Sequence, residues 1–345
     1  MDRILAQGAV WPGAVGVSGG ADSLALMFLL ADWTAAGGLA PPVVLTVDHG
    51  LQPGSKQVAE GVAARARRHG MAAHVLRWTG RKPGADIEKA ARDARYRLMG
   101  DWCRRNGIGC VFVAHSMDDQ AETFLLRLMR GSGVDGLAAM APVAPFPARD
   151  CENLRLARPL LRIPRAKLRG FLASRGEAWF EDEMNADRRF ARVRLREDWP
   201  TLREMGFSAQ RIATAAGHLA RARTALDRDT QLLLQRASRM EGKAVLLDAD
   251  AIAAAPEEIG LRALSRVLMQ VSGQIYRPRF DRLEQLLAAI RYRDLRGGRT
   301  LHGCCIRPAS KRLACFGPRT LSVTPEAGRG GKKQTGSATA GSFIC

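Results

Sequence analysis

A short apolar strand that runs directly into Ser18-Gly19-Gly20-Ala21-Asp22-Ser23 commits the start of this chain to a strand–turn–helix unit. Val15 and Val17 supply the strand, and the apolar spacing of Leu24, Met27, Phe28 and Leu30 supplies the helix. Two adjacent glycines allow a tight turn and let backbone N–H groups approach a ligand closely. The helix that begins there points unpaired N–H groups and the positive end of its dipole at the same spot, which favours a phosphate-type anion. Ser18 and Ser23 add hydroxyls, and Asp22 is placed to hold a cation such as Mg²⁺ against phosphates. A glycine-rich turn with no ligand is the plainer alternative. The common phosphate loop, G-x-x-x-x-G-K-S/T, is absent, and the turn contains no lysine.

Strands and helices then alternate. Residues 43–47 form an apolar, β-branched run that ends at Asp48-His49-Gly50, and Ser55 is expected to cap a helix reaching Arg68 and His69. A strand over 74–78, a helix from Asp86 to Arg104, a strand over 111–114 and a helix from Asp118 to Met129 follow. This order predicts an α/β fold with a doubly wound parallel sheet, which binds ligands beyond the carboxyl ends of its strands. Ser18, Asp48 and His115 all fall at such ends. Pro142, Pro145 and Pro147 predict an irregular stretch, Pro164 to Ser174 a helix, and Ser208 to about Arg239 a long helix. Two further helices over 256–272 and 279–291 and a hairpin over 300–316 predict a smaller, mainly helical second domain. The expected boundaries are 1–203, 204–322 and a disordered Gly/Ser/Thr/Lys-rich tail over 323–345.

The 345 residues carry 53 Lys plus Arg against 34 Asp plus Glu, a formal net charge of +19. Such an excess points to a polyanionic partner, nucleic acid first, although a GC-rich coding bias also raises arginine. No apolar run approaches a membrane span and no signal-peptide pattern opens the chain, so a cytoplasmic protein is expected. None of the seven cysteines lies in C-x-x-C spacing, which removes the framework for a zinc ribbon or redox pair and leaves free thiols as the expectation.

The Ser-Gly-Gly-x-Asp-Ser turn resembles the loop of the PP-loop ATPases (N-type ATP pyrophosphatases, adenine nucleotide alpha hydrolase-like). A second block narrows the family. Ala114-His115-Ser116-Met117-Asp118-Asp119-Gln120-Ala121-Glu122-Thr123, with Arg127, Arg130, Gly131, Ser132 and Gly133 after it, resembles the AHxxDDQAET…RxxRGSG block of the tRNA(Ile)-lysidine synthetase family. Helix capping explains Asp118 or Asp119 but not His115 or the continuation. Val47-Asp48-His49-Gly50-Leu51 is similar to that family's VDHGL, and Ala91-Arg92-Asp93-Ala94-Arg95-Tyr96 to its AR-x-ARY helix. Trp179 through Arg196, with Asp182, Asn185, Asp187, Phe190, Arg192 and Arg194, resembles its ED-x-SN-x-D…F-x-RNR-x-R segment. The likeness is ordered over about 14–200 and weaker to about 320. Met184 and Val193 replace the usual Ser and Asn, Gln52 stands where a basic residue is frequent, and the chain is expected to lack the extra C-terminal domain of some members.

The resemblance implies a ligase that adenylates the oxygen on carbon 2 of a wobble cytidine with ATP, then lets free L-lysine displace AMP. The tRNA is the isoleucine tRNA with a CAU anticodon, and its decoding changes from AUG to AUA. On this basis Ser18, Gly19, Gly20, Ala21, Asp22, Ser23, Asp48 and His49 bind ATP, with Mg²⁺ on Asp22. Asp22, His115, Asp119, Glu122, Arg92 and Arg95 are the catalytic candidates, the acids and His115 serving the lysine ammonium and its protons. Arg188, Arg192, Arg194 and Arg196, together with Arg291, Arg293, Arg296 and Arg299, are candidates for tRNA or phosphate contacts. A solvated helix face explains Arg92 and Arg95 equally well, and a solvated basic face rivals any one of the other arginines. A homodimer is carried as a candidate assembly. The rivals are a sulfur-inserting PP-loop enzyme, which the missing C-x-x-C pairs disfavour, a small-molecule ligase, which has no use for the charge, and a non-catalytic RNA-binding protein.

Overall fold

The computed structural model describes residues 1–84, 86–181, 188–189, 191–274, 276–295 and 297–326. It divides into two compact units, Met1–Arg221 and Ala222–Cys345. The division falls within one long helix, α10, whose range is given below.

The first unit contains, in order, α1 (Asp2–Leu5), β1 (Ala14–Gly16), α2 (Ala21–Gly37), β2 (Val43–Asp48), α3 (Ser55–Arg68), β3 (Ala73–Arg77), α4 (Ile87–Arg105), β4 (Cys110–Phe112) and α5 (Met117–Leu128). It continues with α6 (Val134–Leu137), β5 (Val143–Pro145), β6 (Arg155–Ala157), α7 (Arg165–Ser174), α8 (Ala191–Glu197), α9 (Trp199–Glu204) and the start of α10 (Ala209–Ala237). The sheet order is β3-β2-β1-β4-β6-β5. All pairings are parallel except β5 on β6. The expected doubly wound sheet is therefore present, and its strand order reverses between β1 and β4.

Alternation along the strands explains why both faces are covered. Val15, Val44, Phe112 and Ala157 join one core with Phe28, Val62, Leu168 and Leu172, whereas Ala14, Leu45, Val111 and Leu156 join the opposite core with Tyr96, Met99 and Cys103. Successive side chains on a strand point to opposite faces, so an unbroken apolar run feeds two layers.

Some sequence expectations need correction. The stretch marked as irregular by its prolines contains β5, with β6 close behind it. Pro145 lies on the antiparallel edge strand β5, where its missing N–H is tolerated. The cap position of α3 is Gly54, in the left-handed conformation, not Ser55. The Ser55 hydroxyl instead donates to Asp48 Oδ1 at 2.7 Å.

The second unit holds the remainder of α10, β7 (Ser238–Glu241), β8 (Ala244–Asp248), α11 (Ala249–Ala254), α12 (Glu257–Ser272), α13 (Phe280–Arg291), β9 (Arg299–Leu301), β10 (Cys304–Pro308) and β11 (Thr320–Pro325). The helices expected over 256–272 and 279–291 are present. The expected hairpin is the β9–β10 part of a larger antiparallel sheet of order β7-β8-β11-β10-β9. Residues 323–325, assigned from composition to the tail, belong to β11, where Val323 is buried opposite Ile306. The rest of that tail, 327–345, lies outside the described residues. Among the described residues no helix is long and apolar enough to cross a membrane.

Leu172, fully buried on the inner face of α7, couples that helix to the core beside α2. We expect Leu172→Ala to lower unfolding free energy by about 2–5 kcal/mol, measured by urea denaturation.

Candidate active site

Gly19 has φ +92°, and a Cβ added there would lie 2.9 Å from Val58 Cγ1. Backbone conformation and space therefore both demand glycine. Ser23 braces the turn: its hydroxyl donates to Gly20 O at 2.9 Å and accepts from Ser18 N at 3.2 Å. Gly20 occupies the cap position of α2, Ala21 is buried behind the turn, and Ser18 is exposed in front of it. Asp22, in the first turn of α2, leaves its Oδ1 buried without a hydrogen-bond partner.

At the end of β2, Asp48 Oδ1 accepts from the Gly50 N–H and the Ser55 hydroxyl, so this carboxylate shapes the following turn. His49 meets Trp78 edge-on with ring centroids 6.0 Å apart.

Across the reversal point, β4 leads to His115 and the start of α5. Asp119 is buried and performs two tasks. Its Oδ2 accepts from Ser116 N at 2.8 Å and Ser116 Oγ at 2.9 Å, while Oδ1 accepts from Arg165 Nη2 at 2.9 Å. Capping and the ion pair with Arg165 thus share one residue. Arg165 also donates from Nε to Asp22 Oδ2 at 3.1 Å, and its Nη1 lies 3.5 Å from Glu122 Oε1. Its backbone N–H donates to Asp118 Oδ2 at 2.7 Å. Glu122, only 3% exposed, receives a fork from Arg196, with Nε 2.6 Å from Oε1 and Nη2 3.0 Å from Oε2. Hence Asp22, Asp119 and Glu122 meet around two guanidiniums.

Burial pushes the Asp22 carboxyl above the usual range, with Arg165 pulling against it. Burial also acts to raise Asp119, but Arg165 and the Ser116 donors outweigh it and hold that carboxyl low. For Arg165 burial opposes the charge, and Asp119, Glu122 and Asp22 more than offset it. Burial lowers His115 to about 4, assisted by Arg158, Arg92 and Arg192 and opposed by Asp119. The imidazole is therefore neutral near pH 7, and its Nδ1 has no hydrogen-bond partner.

The arginines separate into distinct groups. Arg92 and Arg95 lie on exposed positions of α4, with the Arg92 guanidinium 5.1 Å from the Tyr96 ring. Arg192 and Arg196 share a face of α8 at four-residue spacing, Arg196 reaching Glu122 and Arg192 contributing to the field at His115. Arg188 pairs with Glu197 at 2.9 Å, and Arg194 Nη1 donates to the carbonyls of Arg188 and Arg189. Val193 is buried, so the apolar replacement at that position is packed. In the second unit, Arg291 Nη2 donates to Ala255 O at 3.1 Å and its Nε to Ala253 O at 3.3 Å, whereas Arg293 is exposed. Arg299 donates to Gln285 O and to Asp294. Asp182, Met184, Asn185, Asp187, Phe190 and Arg296 lie outside the described residues.

Sequence reasoning missed Arg165. The only local signal was Pro164, which marks a helix start; recognition of β6 would have shown that its carboxyl end delivers this helix to the site.

A family model described as a PP-loop domain matches residues 11–200. The chain is 42% identical over 299 residues to a tRNA(Ile)-lysidine synthase of Ruegeria pomeroyi, covering 87% of this chain and 69% of that protein. It is 41% identical over 314 residues to a tRNA(Ile)-lysidine synthase of Methylobacterium nodulans, covering 88% and 90%. Among solved structures, a U34-tRNA thiolase, NcsA of Methanococcus maripaludis, superimposes with a TM-score of 0.51 at 13% identity, over 64% of this chain and 78% of that one. That likeness concerns the fold alone.

Two outcomes are expected. Gly19→Ala should weaken ATP binding at least tenfold, as titration calorimetry would show, because the turn must rearrange. Between the ordinary histidine value near 6.5 and about 4, the unfolded chain binds a proton at His115 that the folded chain does not. Stability should therefore fall as pH drops through that window, and His115→Gln should flatten the slope seen in pH-dependent denaturation.

Proposed function

The chain belongs to the tRNA(Ile)-lysidine synthase family of PP-loop proteins, and from that premise we propose how its residues carry out the ligation. The protein is a carbon–nitrogen bond-forming ligase that joins L-lysine to the wobble cytidine of isoleucine tRNA at the expense of ATP. The observation that supports the site assignment is the bridge from Asp22 in the phosphate turn, through Arg165, to Asp119 and Glu122. It joins an acidic cluster to the Ser18–Ser23 turn through one side chain, which supports a cation site beside a phosphate site.

In the first step the cytosine oxygen on carbon 2 attacks the α-phosphorus of ATP, and pyrophosphate leaves. The turn at Ser18–Ser23 and the start of α2 hold the departing phosphates through backbone N–H groups. The unpartnered Asp22 Oδ1 fits a divalent cation such as Mg²⁺, which Asp22 would hold and which would supply positive charge to the phosphates. Among the described residues no group of three or more acidic, His or Cys side chains could hold a metal by itself.

In the second step the lysine side-chain nitrogen attacks carbon 2 and AMP departs with the former carbonyl oxygen. The ammonium, with a pKa of about 10.4, must shed a proton before attack and another after it. Asp119 and Glu122 draw the ammonium in. Neutral His115, with Nδ1 unpartnered, accepts a hydrogen bond from the amine and helps carry its proton away. Arg92, Arg95 and Arg192 offer positive charge to the nucleotide phosphates or the activated base. The second unit engages the tRNA backbone through exposed arginines such as Arg293. The setting is the cytoplasm, where this tRNA and ATP occur together.

The decisive experiment supplies a CAU-anticodon isoleucine tRNA transcript, ATP, Mg²⁺ and labelled lysine. Label should enter the tRNA, and Asp22→Ala should cut the rate at least 100-fold. AMP release without lysine incorporation would overturn the assignment of the nucleophile. Arg293→Glu should raise the KM for tRNA and flatten the salt dependence of binding, whereas Arg291→Ala should chiefly lower thermal stability, because its guanidinium serves the carbonyls at the C-terminal end of α11.

A further inference from the structure

We propose that Arg165 is a positioning residue that couples the two small-substrate sites, occupying the lysine position until ATP draws it away. The inference rests on the reading above and adds an order to it. Arg165 has its Cα anchored, because its backbone N–H is bonded to Asp118 at the first position of α7. Its side chain places three different nitrogens on Asp22, Asp119 and Glu122. The guanidinium thus stands where an alkylammonium must stand to be bound by Asp119 and Glu122.

The hydrogen bonds show which contacts can be released. Glu122 keeps its fork from Arg196, and Asp119 keeps both donors of Ser116, so neither carboxylate depends on Arg165 alone. Asp22 has no such second donor among the described residues, and its Oδ1 is already orphaned. Three carboxylates face two guanidiniums, one negative charge in excess. Displacing Arg165 leaves a site two charges negative, suited to a cation.

A bound triphosphate supplies the displacing force. It enters at the turn containing Asp22, the residue that Arg165 already touches, and a guanidinium pairs with phosphate oxygens through two parallel N–H bonds. As Arg165 turns to the phosphates, Asp119 and Glu122 open to the amine. ATP binding therefore tightens lysine binding, and lysine tightens ATP binding by the same factor.

The test measures labelled-lysine binding by equilibrium dialysis to the full chain, with and without saturating α,β-methylene ATP. In the wild type the analogue should tighten lysine binding by about 5- to 150-fold, the usual span of such coupling. Arg165→Met should bind lysine more tightly than wild type without nucleotide and lose most of the response, because the competing cation is gone. A merely structural arginine predicts the reverse, weaker binding in the variant. Arg165→Lys, which keeps one charge but cannot bridge three acids, should respond partially. An unchanged lysine affinity on adding an analogue shown to bind, or weaker nucleotide-free binding in a folded Arg165→Met, overturns the proposal. Should Arg165→Met not fold, Arg165→Lys decides it: a response to nucleotide equal to that of the wild type overturns the proposal, and a reduced one supports it. Lysine incorporation into tRNA without any such coupling removes this inference and leaves the ligase reading standing; no incorporation removes the reading itself.

Discussion

Carboxylates beside a phosphate-binding turn repel the phosphates and one another, and burial makes each of them costly. Asp22, Asp119 and Glu122 are tolerated together because Arg165 and Arg196 reach in among them. A buried ion pair earns little net stability, since desolvation consumes most of the attraction. What this one does is geometric. Arg165 ties the turn after β1 to the start of α5 and to the start of α7, and Arg196 ties α5 to α8. The candidate site takes its shape from that alignment.

The parallel sheet makes the alignment attainable. β1, β4 and β6 are neighbours, and their carboxyl ends deliver the phosphate turn, the acidic helix start and the arginine of α7 to one place. Apolar residues on both faces hold these strands rigidly in register. A small apolar cluster of Ala121, Leu125, Leu195 and Ile212 then seats α8 against α5, which brings Arg196 over Glu122.

The large positive charge is not one surface. Arg194 and Arg291 satisfy carbonyls, Arg188 and Arg299 pair with acids, and Arg165 and Arg196 face inward to the acid cluster. Arg293 remains exposed to solvent. The net charge of +19 points to a polyanionic partner. It does not say which arginines meet it, because formal charge counts a carbonyl-bound guanidinium and a solvent-facing one alike.

Local chemistry was legible in the residue order. Gly19 and Gly20 with Ser18 and Ser23 announced a phosphate turn, the alternation of strands and helices announced the sheet, and Asp118, Asp119 and Glu122 beside His115 announced an unusual helix start. These signals survive in one dimension because each rests on neighbours a few residues apart. The three-residue strands β5 and β6 escaped notice, both too short for periodicity and β5 also masked by its prolines. β7 escaped because its residues Ser238–Glu241 are mostly polar and exposed, although it forms a tight hairpin with β8, and β11 escaped because its pairing with β8 spans more than seventy residues and leaves no local trace. Ser55 looked like a cap and serves Asp48 instead; nothing in the neighbours of Arg165 singled it out. By itself the sequence determined that an anion site, a cluster of acids and a parallel sheet would exist. Only the tertiary structure decided that one guanidinium, 143 residues from Asp22, would join them, because ion pairing is set by distance in space and not along the chain.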